Sequence, residues 1–376
     1  MAAHPLNTSP SIPLPVARTA GKTGRRETAN HLPWLDGLRG LAALAVVFHH
    51  LYAICLHYYS TSPALLENPA VKFCMTVGRW GVLGVPCFFV LSGFCIGQTW
   101  QRARSPGQFA WRRWRRIFPA YYASLALVLL CAAGVRLVTG VNDITTVPPA
   151  TVPNLLATLT LMTTPASHTP ILTWVYWTLS YEVVFYSVLT VILLLPAGAR
   201  LPVLCLVHAG VSVVGAWPGL TLAPGVLFFA DLWPLFGLGL ALALATPSRI
   251  VAAIIGLTSL TALIPLQLAG KYTGFAASAL VATGFVALCA AGFALPRWRP
   301  LEKLGEFSYS LYLIHVPILL AVGKHLVLRP NQTPALWLLG CLAATVLMVI
   351  VAYGFHRLFE RPFLSTRPSP ASRAIA

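Results

Sequence analysis

The sequence predicts an all-α, polytopic membrane protein with about ten transmembrane helices and both termini in the cytoplasm. Three observations carry that prediction. Hydrophobic residues make up 57% of the chain and charged ones 9%, and the mean hydropathy is +0.75, which leaves too little polar surface for a soluble domain. The apolar residues lie in continuous runs of about 20, the helix length that crosses about 30 Å of hydrocarbon, and not in the alternating pattern of a barrel strand. With the N-terminus inside, twenty of the 26 Lys and Arg residues fall on the cytoplasmic side, and Lys72, Arg79, Arg136, Lys271, Lys324 and Arg329 fall on the other, the bias that orients membrane proteins. The formal charge of +17 is therefore read as topology and contact with anionic lipid. No nucleic-acid module interrupts the apolar runs, so nucleic acid is excluded as a partner.

The elements follow in order. Residues 1–30 are polar and Pro-containing, with Arg18, Lys22, Arg25 and Arg26, and read as a disordered cytoplasmic tail without the pattern of a secretory signal. The first helix is placed at 34–57 and the second at 81–99, the latter carrying the small pair Ser92-Gly93 that permits close helix approach. A basic loop with Arg102, Arg104, Arg112, Arg113, Arg115 and Arg116 leads to the third helix at 117–138. Beyond Pro148-Pro149 the apolar stretch 154–162 is too short to span and reads as a re-entrant or interfacial piece. The fourth helix, 173–195, stops at Pro196-Ala197-Gly198, and the fifth, 201–217, at Trp217-Pro218-Gly219. The sixth to tenth are placed at 224–245, 250–268, 274–294, 307–328 and 335–357, with Pro296 and Arg329-Pro330 as breakers. Residues 31–363 then form one transmembrane domain, and 364–376 a second disordered tail.

Polar side chains inside these runs are the candidates for chemistry, because an ionisable group in hydrocarbon is costly to keep. Arg39 and His50 are about 16 Å apart along the first helix and about 20° apart around it, so they share a face. His49 lies about 100° away, where packing explains it better. Glu182, in Trp177-Thr-Leu-Ser180-Tyr181-Glu182, sits far inside its run and needs a cation, a proton or a watered cavity. Asp231 is a weaker case near a helix end. Ser308, Tyr312 and His315 recur at helical spacing and make a polar stripe suited to a cavity wall. The arginines at 112–116, interleaved with Trp111 and Trp114, read either as a cradle for a phosphorylated cytoplasmic ligand or as a purely topogenic loop touching lipid phosphates. The eight cysteines are scattered without CxxC or His-flanked spacing, so neither a metal site nor a redox pair is expected.

Six segments, taken together, resemble the acyltransferase family 3 of integral membrane O-acyltransferases. They are Leu35-Asp-Gly-Leu-Arg39-Gly with His50 downstream, Phe88-Phe-Val-Leu-Ser-Gly-Phe94, Arg113-x-x-Arg116-Ile-Phe-Pro, Trp177 to Glu182, Phe307 to His315, and Phe359-Glu360-Arg361-Pro362. The resemblance covers about residues 34–363. It implies that Arg39 and His50 are the essential pair of the first helix, that Arg113 and Arg116 are the paired arginines, and that Glu182 is a family carboxylate. Members often carry a second acidic residue beside it; Val183 stands there in this chain, which speaks against a mechanism needing two adjacent carboxylates.

The resemblance implies transfer of an acyl group, most simply acetyl, from cytoplasmic acetyl-CoA to a hydroxyl of a glycan, in a multi-pass bacterial inner-membrane enzyme needing no metal. His50 and Glu182 are then the expected catalytic residues and Arg39, Arg113 and Arg116 the donor-binding ones. Tyr122, Trp177, Tyr312 and His315 are the expected substrate-binding residues. The acceptor is an exported polysaccharide or, as the alternative, a macrolide-type metabolite, and separate polysaccharide-assembly proteins are possible partners. A proton-coupled transporter using His50, Glu182 and His315 is the competing reading from composition, against which stand the motif set and the lack of an internal repeat.

Overall fold

A computed structural model describes residues 32–58, 65, 67–140, 149–217, 225, 227–268, 270, 273–294, 296–327 and 332–364. The expected tails at 1–30 and 364–376, apart from Leu364, and the breakers Pro148, Pro218-Gly219 and Arg329-Pro330, lie outside them. Among the described residues every regular element is helical. In chain order these are α1 (Pro33–Tyr58), α2 (Pro69–Trp80), α3 (Gly84–Gln101), α4 (Pro106–Thr139), α5 (Val152–Leu159), α6 (Trp177–Ile192), α7 (Ala197–Ala216) and α8 (Trp233–Leu244). There follow α9 (Arg249–Leu268), α10 (Phe275–Ala290), α11 (Arg299–Glu306), α12 (Ser308–Ile318), α13 (Lys324–Val327), α14 (Pro334–Phe355) and α15 (Arg361–Leu364), with π-helical turns at Leu319–Gly323 and His356–Glu360.

Each of the ten predicted segments contains a helix, but among the described residues six helices are long and apolar enough to cross a membrane, or seven if α11 and the helix after it, bent by 76°, count as one span. Six or seven of the expected ten are thus long enough to span, and the other three, α6, α8 and α10, are apolar but shorter. The reason is local: α6, α8 and α10 begin later or end sooner than the apolar runs suggest. The fourth helix starts at Trp177 and not at 173, because residues 173–176 form a turn, closed by the Tyr176 N–H to the Thr173 carbonyl at 3.2 Å. The sixth starts at Trp233 and not at 224, leaving Asp231 in the turn before it.

Two boundaries move the other way. The third helix begins at Pro106, not 117, so Arg112, Arg113, Arg115 and Arg116 lie on a helix and not in a loop. Its start has the ordinary signature: Ser105 accepts from the Gln108 N–H at 3.1 Å, with Pro106 in the first turn. Gly140, at φ 70°, ends it in the left-handed conformation that glycine takes without penalty. The second helix is preceded by α2, where Asn68 Oδ1 caps Ala70 and Val71, so a nearly continuous helical stretch runs over residues 69–101. The short apolar piece is the helix α5, capped by Thr151, with Val152, Leu155 and Leu156 exposed.

Lipid is as apolar as leucine, so these helices associate through close packing and hydrogen bonds more than through hydrophobic burial. At the crossing of α3 and α8 a Cβ on Gly93 would run into the Phe236 carbonyl, and one on Gly239 into that of Val90. Phe236 fills the space beside the crossing, with ring centroids 4.7 Å from Phe89 and 4.6 Å from Phe185. A buried polar knot joins α7, α8 and α9: Trp233 Nε1–H donates to His208 Nδ1 at 2.9 Å, which leaves His208 Nε2 protonated to donate to Ser259 Oγ at 2.9 Å. The bend between α11 and α12 rests on α1, where Gly40 and Gly305 leave no room for a Cβ against Leu301 and Asp36.

Candidate active site

Five of these elements enclose a cavity of about 110 Å³, walled by Arg39 of α1, Ser92 and Phe88 of α3, Arg113 and Arg116 of α4, Glu182 and Tyr186 of α6, and Tyr309 and Tyr312 of α12. All three predicted donor-binding arginines and the predicted carboxylate thus share one chamber. The start of α4 at Pro106 matters here, since helical spacing turns Arg113 and Arg116 to the same side while Arg112 and Arg115 face elsewhere.

Glu182 receives the Ser92 hydroxyl at 2.5 Å and the Tyr186 hydroxyl on the same oxygen. Two neutral donors and a cavity shared with arginines meet the demand that an acidic group inside an apolar run imposes. Arg39 reaches Cys95 Sγ at 3.4 Å and Asp36 at 3.8 Å. The other two arginines differ from each other. Arg116 Nη1 is 3.1 Å from Glu360 Oε1, a charge contact without the alignment of a hydrogen bond. Arg113 lies against the rings of Phe109 and Tyr186, each 5.8 Å from its guanidinium carbon. Among the described residues no carboxylate forms an ion pair with Arg113, and its Nε is buried without a hydrogen-bond partner.

His50 is not in the cavity wall. It stands further along α1, paired with His315: His315 Nε2 is 3.1 Å from His50 Nδ1, and the ring centroids are 4.9 Å apart. Val46 O is 3.0 Å from the same His50 nitrogen, and Trp174 flanks the ring at 6.3 Å. Glu182 is bonded to Ser92 and Tyr186, so the partner of the His50 imidazole is a second histidine and not the carboxylate. Tyr312 links the two regions. Its ring lines the cavity and lies 6.0 Å from that of His315, while its hydroxyl is held by Thr178 Oγ1 at 2.5 Å and the Val175 carbonyl at 2.7 Å.

The remaining predicted positions lie apart. Tyr122 is exposed and donates to the Leu159 carbonyl at 3.1 Å, tying α4 to α5. Trp177 packs edge-on against Tyr181 at 5.6 Å. His49 is turned toward Gly78 O at 3.3 Å, and Asp231 accepts from Tyr181 at 3.3 Å. No group of three or more His, Cys, Asp or Glu among the described residues could hold a metal ion.

Two contributors escaped the sequence reading. Glu360 is 2% exposed and holds Arg116, Ser310 Oγ (2.6 Å) and His356 Nδ1 (2.8 Å). The available signal was its place in Phe359-Glu360-Arg361-Pro362, one of only nine acidic residues in the chain. Tyr186 is one turn after Glu182 on the same helix face, a spacing that brings side chains together.

Comparison with known proteins places the chain in a family. The chain is 29% identical over 323 residues to the exopolysaccharide production protein ExoZ of Rhizobium meliloti (strain 1021), a match covering 76% of this chain and 90% of ExoZ. It is 32% identical over 115 residues to the peptidoglycan O-acetyltransferase OatA of Listeria monocytogenes, covering 29% of this chain and 15% of OatA. A putative acetyltransferase, ORF330 of Acidianus two-tailed virus, is 31% identical over 101 residues, 27% of this chain and 26% of that protein. No solved structure matches. Residues 32–353 match the acyltransferase domain Acyl_transf_3, a range that takes in the arginines, Glu182 and both paired histidines, and the chain accordingly belongs to acyltransferase family 3.

Proposed function

We propose that the protein moves an acyl group, acetyl in the simplest case, from a cytoplasmic acyl-CoA to a hydroxyl of a glycan bound for export across the bacterial inner membrane. The observation that carries this reading is Arg113. A guanidinium with no carboxylate ion pair among the described residues, an unsatisfied buried Nε and aromatic rings on its faces is a site waiting for an anion, and guanidinium groups take phosphate bidentately. The positive-inside bias puts this end of α4 toward the cytoplasm, where coenzyme A is available. The extended donor would run from Arg113 and Arg39 past Tyr312 toward His50.

In this reading His50 takes the proton of the acceptor hydroxyl as its oxygen attacks the thioester carbonyl. The tetrahedral oxyanion collapses with cleavage of the carbon–sulfur bond, the thiolate leaves, and the proton held by His50 passes to it or to solvent. The acylated hydroxyl and free coenzyme A are the products. Similarity to ExoZ over 90% of that protein's length favours an exopolysaccharide-type acceptor over a macrolide-type metabolite. Polysaccharide-assembly proteins would supply the glycan.

The test needs no knowledge of the acceptor. Thermal unfolding of the detergent-purified protein is followed with and without acetyl-CoA, for wild type and Arg113→Ala. A ligand at 100 times its Kd that binds only the native state adds about 2.7 kcal/mol, so a clear upward shift is expected in wild type and its loss in the variant. No shift at millimolar acetyl-CoA in folded wild-type protein would overturn the donor assignment.

A further inference from the structure

His315 and His50 form a pair whose protonation pattern can be read from their partners. His315 Nδ1 faces two main-chain carbonyls of its own helix, Leu311 O at 3.0 Å and Tyr312 O at 2.9 Å. Two acceptors on one ring nitrogen require that nitrogen to carry the proton, so in the neutral ring Nε2 has the lone pair. That lone pair is directed at His50 Nδ1, 3.1 Å away, which itself faces a third carbonyl, Val46 O, at 3.0 Å. His50 Nδ1 is therefore the protonated nitrogen of its ring, and His50 Nε2 is left as the basic one. His315 is fully buried and held by its own helix, so the pattern is built into the packing.

We propose that His315 is a positioning residue for His50, doing with a neutral ring what a carboxylate does in a hydrolase triad. This rests on the reading of His50 as the base. When His50 Nε2 takes the acceptor's proton, the resulting imidazolium donates from Nδ1 to His315 Nε2, and the new positive charge is met by an oriented acceptor. No proton needs to leave Nδ1, so the balance is one proton gained at His50 Nε2 and one lost from the hydroxyl. A carboxylate would hold the cation more strongly, but it would stand as an uncompensated charge inside the membrane in the resting state. An imidazole anchored by two carbonyls avoids that cost. The structure thus gives His315 a role in holding the base, distinct from contact with substrate, and gives Glu182 none in orienting it.

The test uses membranes carrying the full-length protein and radiolabelled acetyl-CoA, with transfer to endogenous glycan read as kcat and KM for the donor. His315→Gln puts an amide oxygen close to the position of the lost Nε2, His315→Asn keeps polarity but stops a bond short, and His315→Leu removes the acceptor. The expected result is a kcat about 10- to 100-fold lower for Asn and Leu, the usual effect of losing a hydrogen bond to a charged group, with donor KM unchanged. Most of the activity should return in Gln. Wild-type kcat in Asn or Leu, or a Gln variant as slow as Asn, would overturn the proposal. So would a loss that appears in donor KM alone. His50→Ala separates the two readings: retained transfer there overturns the assignment of the base itself, whereas loss there with full activity in the His315 variants overturns only the pairing. If the Leu protein is not recovered folded, the Gln and Asn pair decides.

Discussion

The guanidinium of Arg116 stands 3.1 Å from the carboxylate of Glu360, so the basic turns of α4 are fastened to the π-helical turn that follows α14. The other oxygen of that carboxylate takes Ser310 of α12 and His356. One buried acidic group therefore joins three elements that bound or back the cavity. Removing it in Glu360→Ala leaves a cation, a hydroxyl and an imidazole without their acceptor. Breaking a buried pair costs about 3–5 kcal/mol, less here because the Arg116 side chain is 27% exposed, and about 2–3 kcal/mol is expected. Glu360→Gln, which keeps an acceptor oxygen, should lose less. Thermal unfolding in detergent measures both, and an Ala variant melting within roughly one degree of wild type would refute the role.

Arg113 and Arg116 should separate cleanly although they are one turn apart. Arg113→Ala is expected to raise donor KM by about tenfold or more, the scale of one charge-assisted hydrogen bond, with little change in melting temperature. Arg116→Ala is expected to lower the melting temperature, since it strands Glu360. Arg113→Lys should recover only part of the binding, because an ammonium cannot present two parallel donors. Equal effects of the two Ala variants on both readouts would count against the distinction.

The α3–α8 crossing predicts a steric result. Gly93→Ala and Gly239→Ala each push a methyl group into a main-chain carbonyl of the other helix, and overpacking of this kind costs about 1–3 kcal/mol. Gly134→Ala, with nothing within 4 Å of its Cβ position, should be neutral or slightly stabilising because alanine favours the helix. The three melting temperatures, compared in one detergent, check the claim.

His208→Leu tests the buried knot, none of whose residues lines the cavity. It leaves Trp233 Nε1–H and Ser259 Oγ without the partner they now share, and an unsatisfied buried donor costs about 1–3 kcal/mol. Donor KM should not move. A raised KM would mean that α8 and α9 communicate with the arginine chamber.

Several of these features were legible in the residues alone. Glu182, Tyr312, His50 and His315 stand out because each is a polar group inside an apolar run, and Arg39, Arg113 and Arg116 because they fall in the segments that carry the family resemblance. The Ser105-Pro106 start of α4 has the form of a cap, but the arginines that follow depress hydropathy and mimic a loop. The turn before Trp177 was hidden for the opposite reason: Val175, Tyr176 and their neighbours are apolar enough to extend the run, and hydropathy does not register a break in backbone hydrogen bonding. Glu360 belongs to one of the six segments, but its neighbours in the chain do not reveal that it meets Arg116, Ser310 and His356.

By itself the sequence determined that the chain is helical and lies in a membrane, and which polar side chains have to be accounted for. Both follow from local quantities, the length of an apolar run and the cost of a lone charge within it. Only the tertiary structure decided the partners: Arg116 with Glu360, His50 with His315, Glu182 with Ser92 and Tyr186, and Arg113 with no carboxylate among the described residues. These pairings join residues far apart in the chain, and they depend on how helices cross. The crossings are set in turn by small residues such as Gly93, Gly239 and Gly40 meeting one particular main-chain carbonyl, and a hydropathy pattern contains no information about which one.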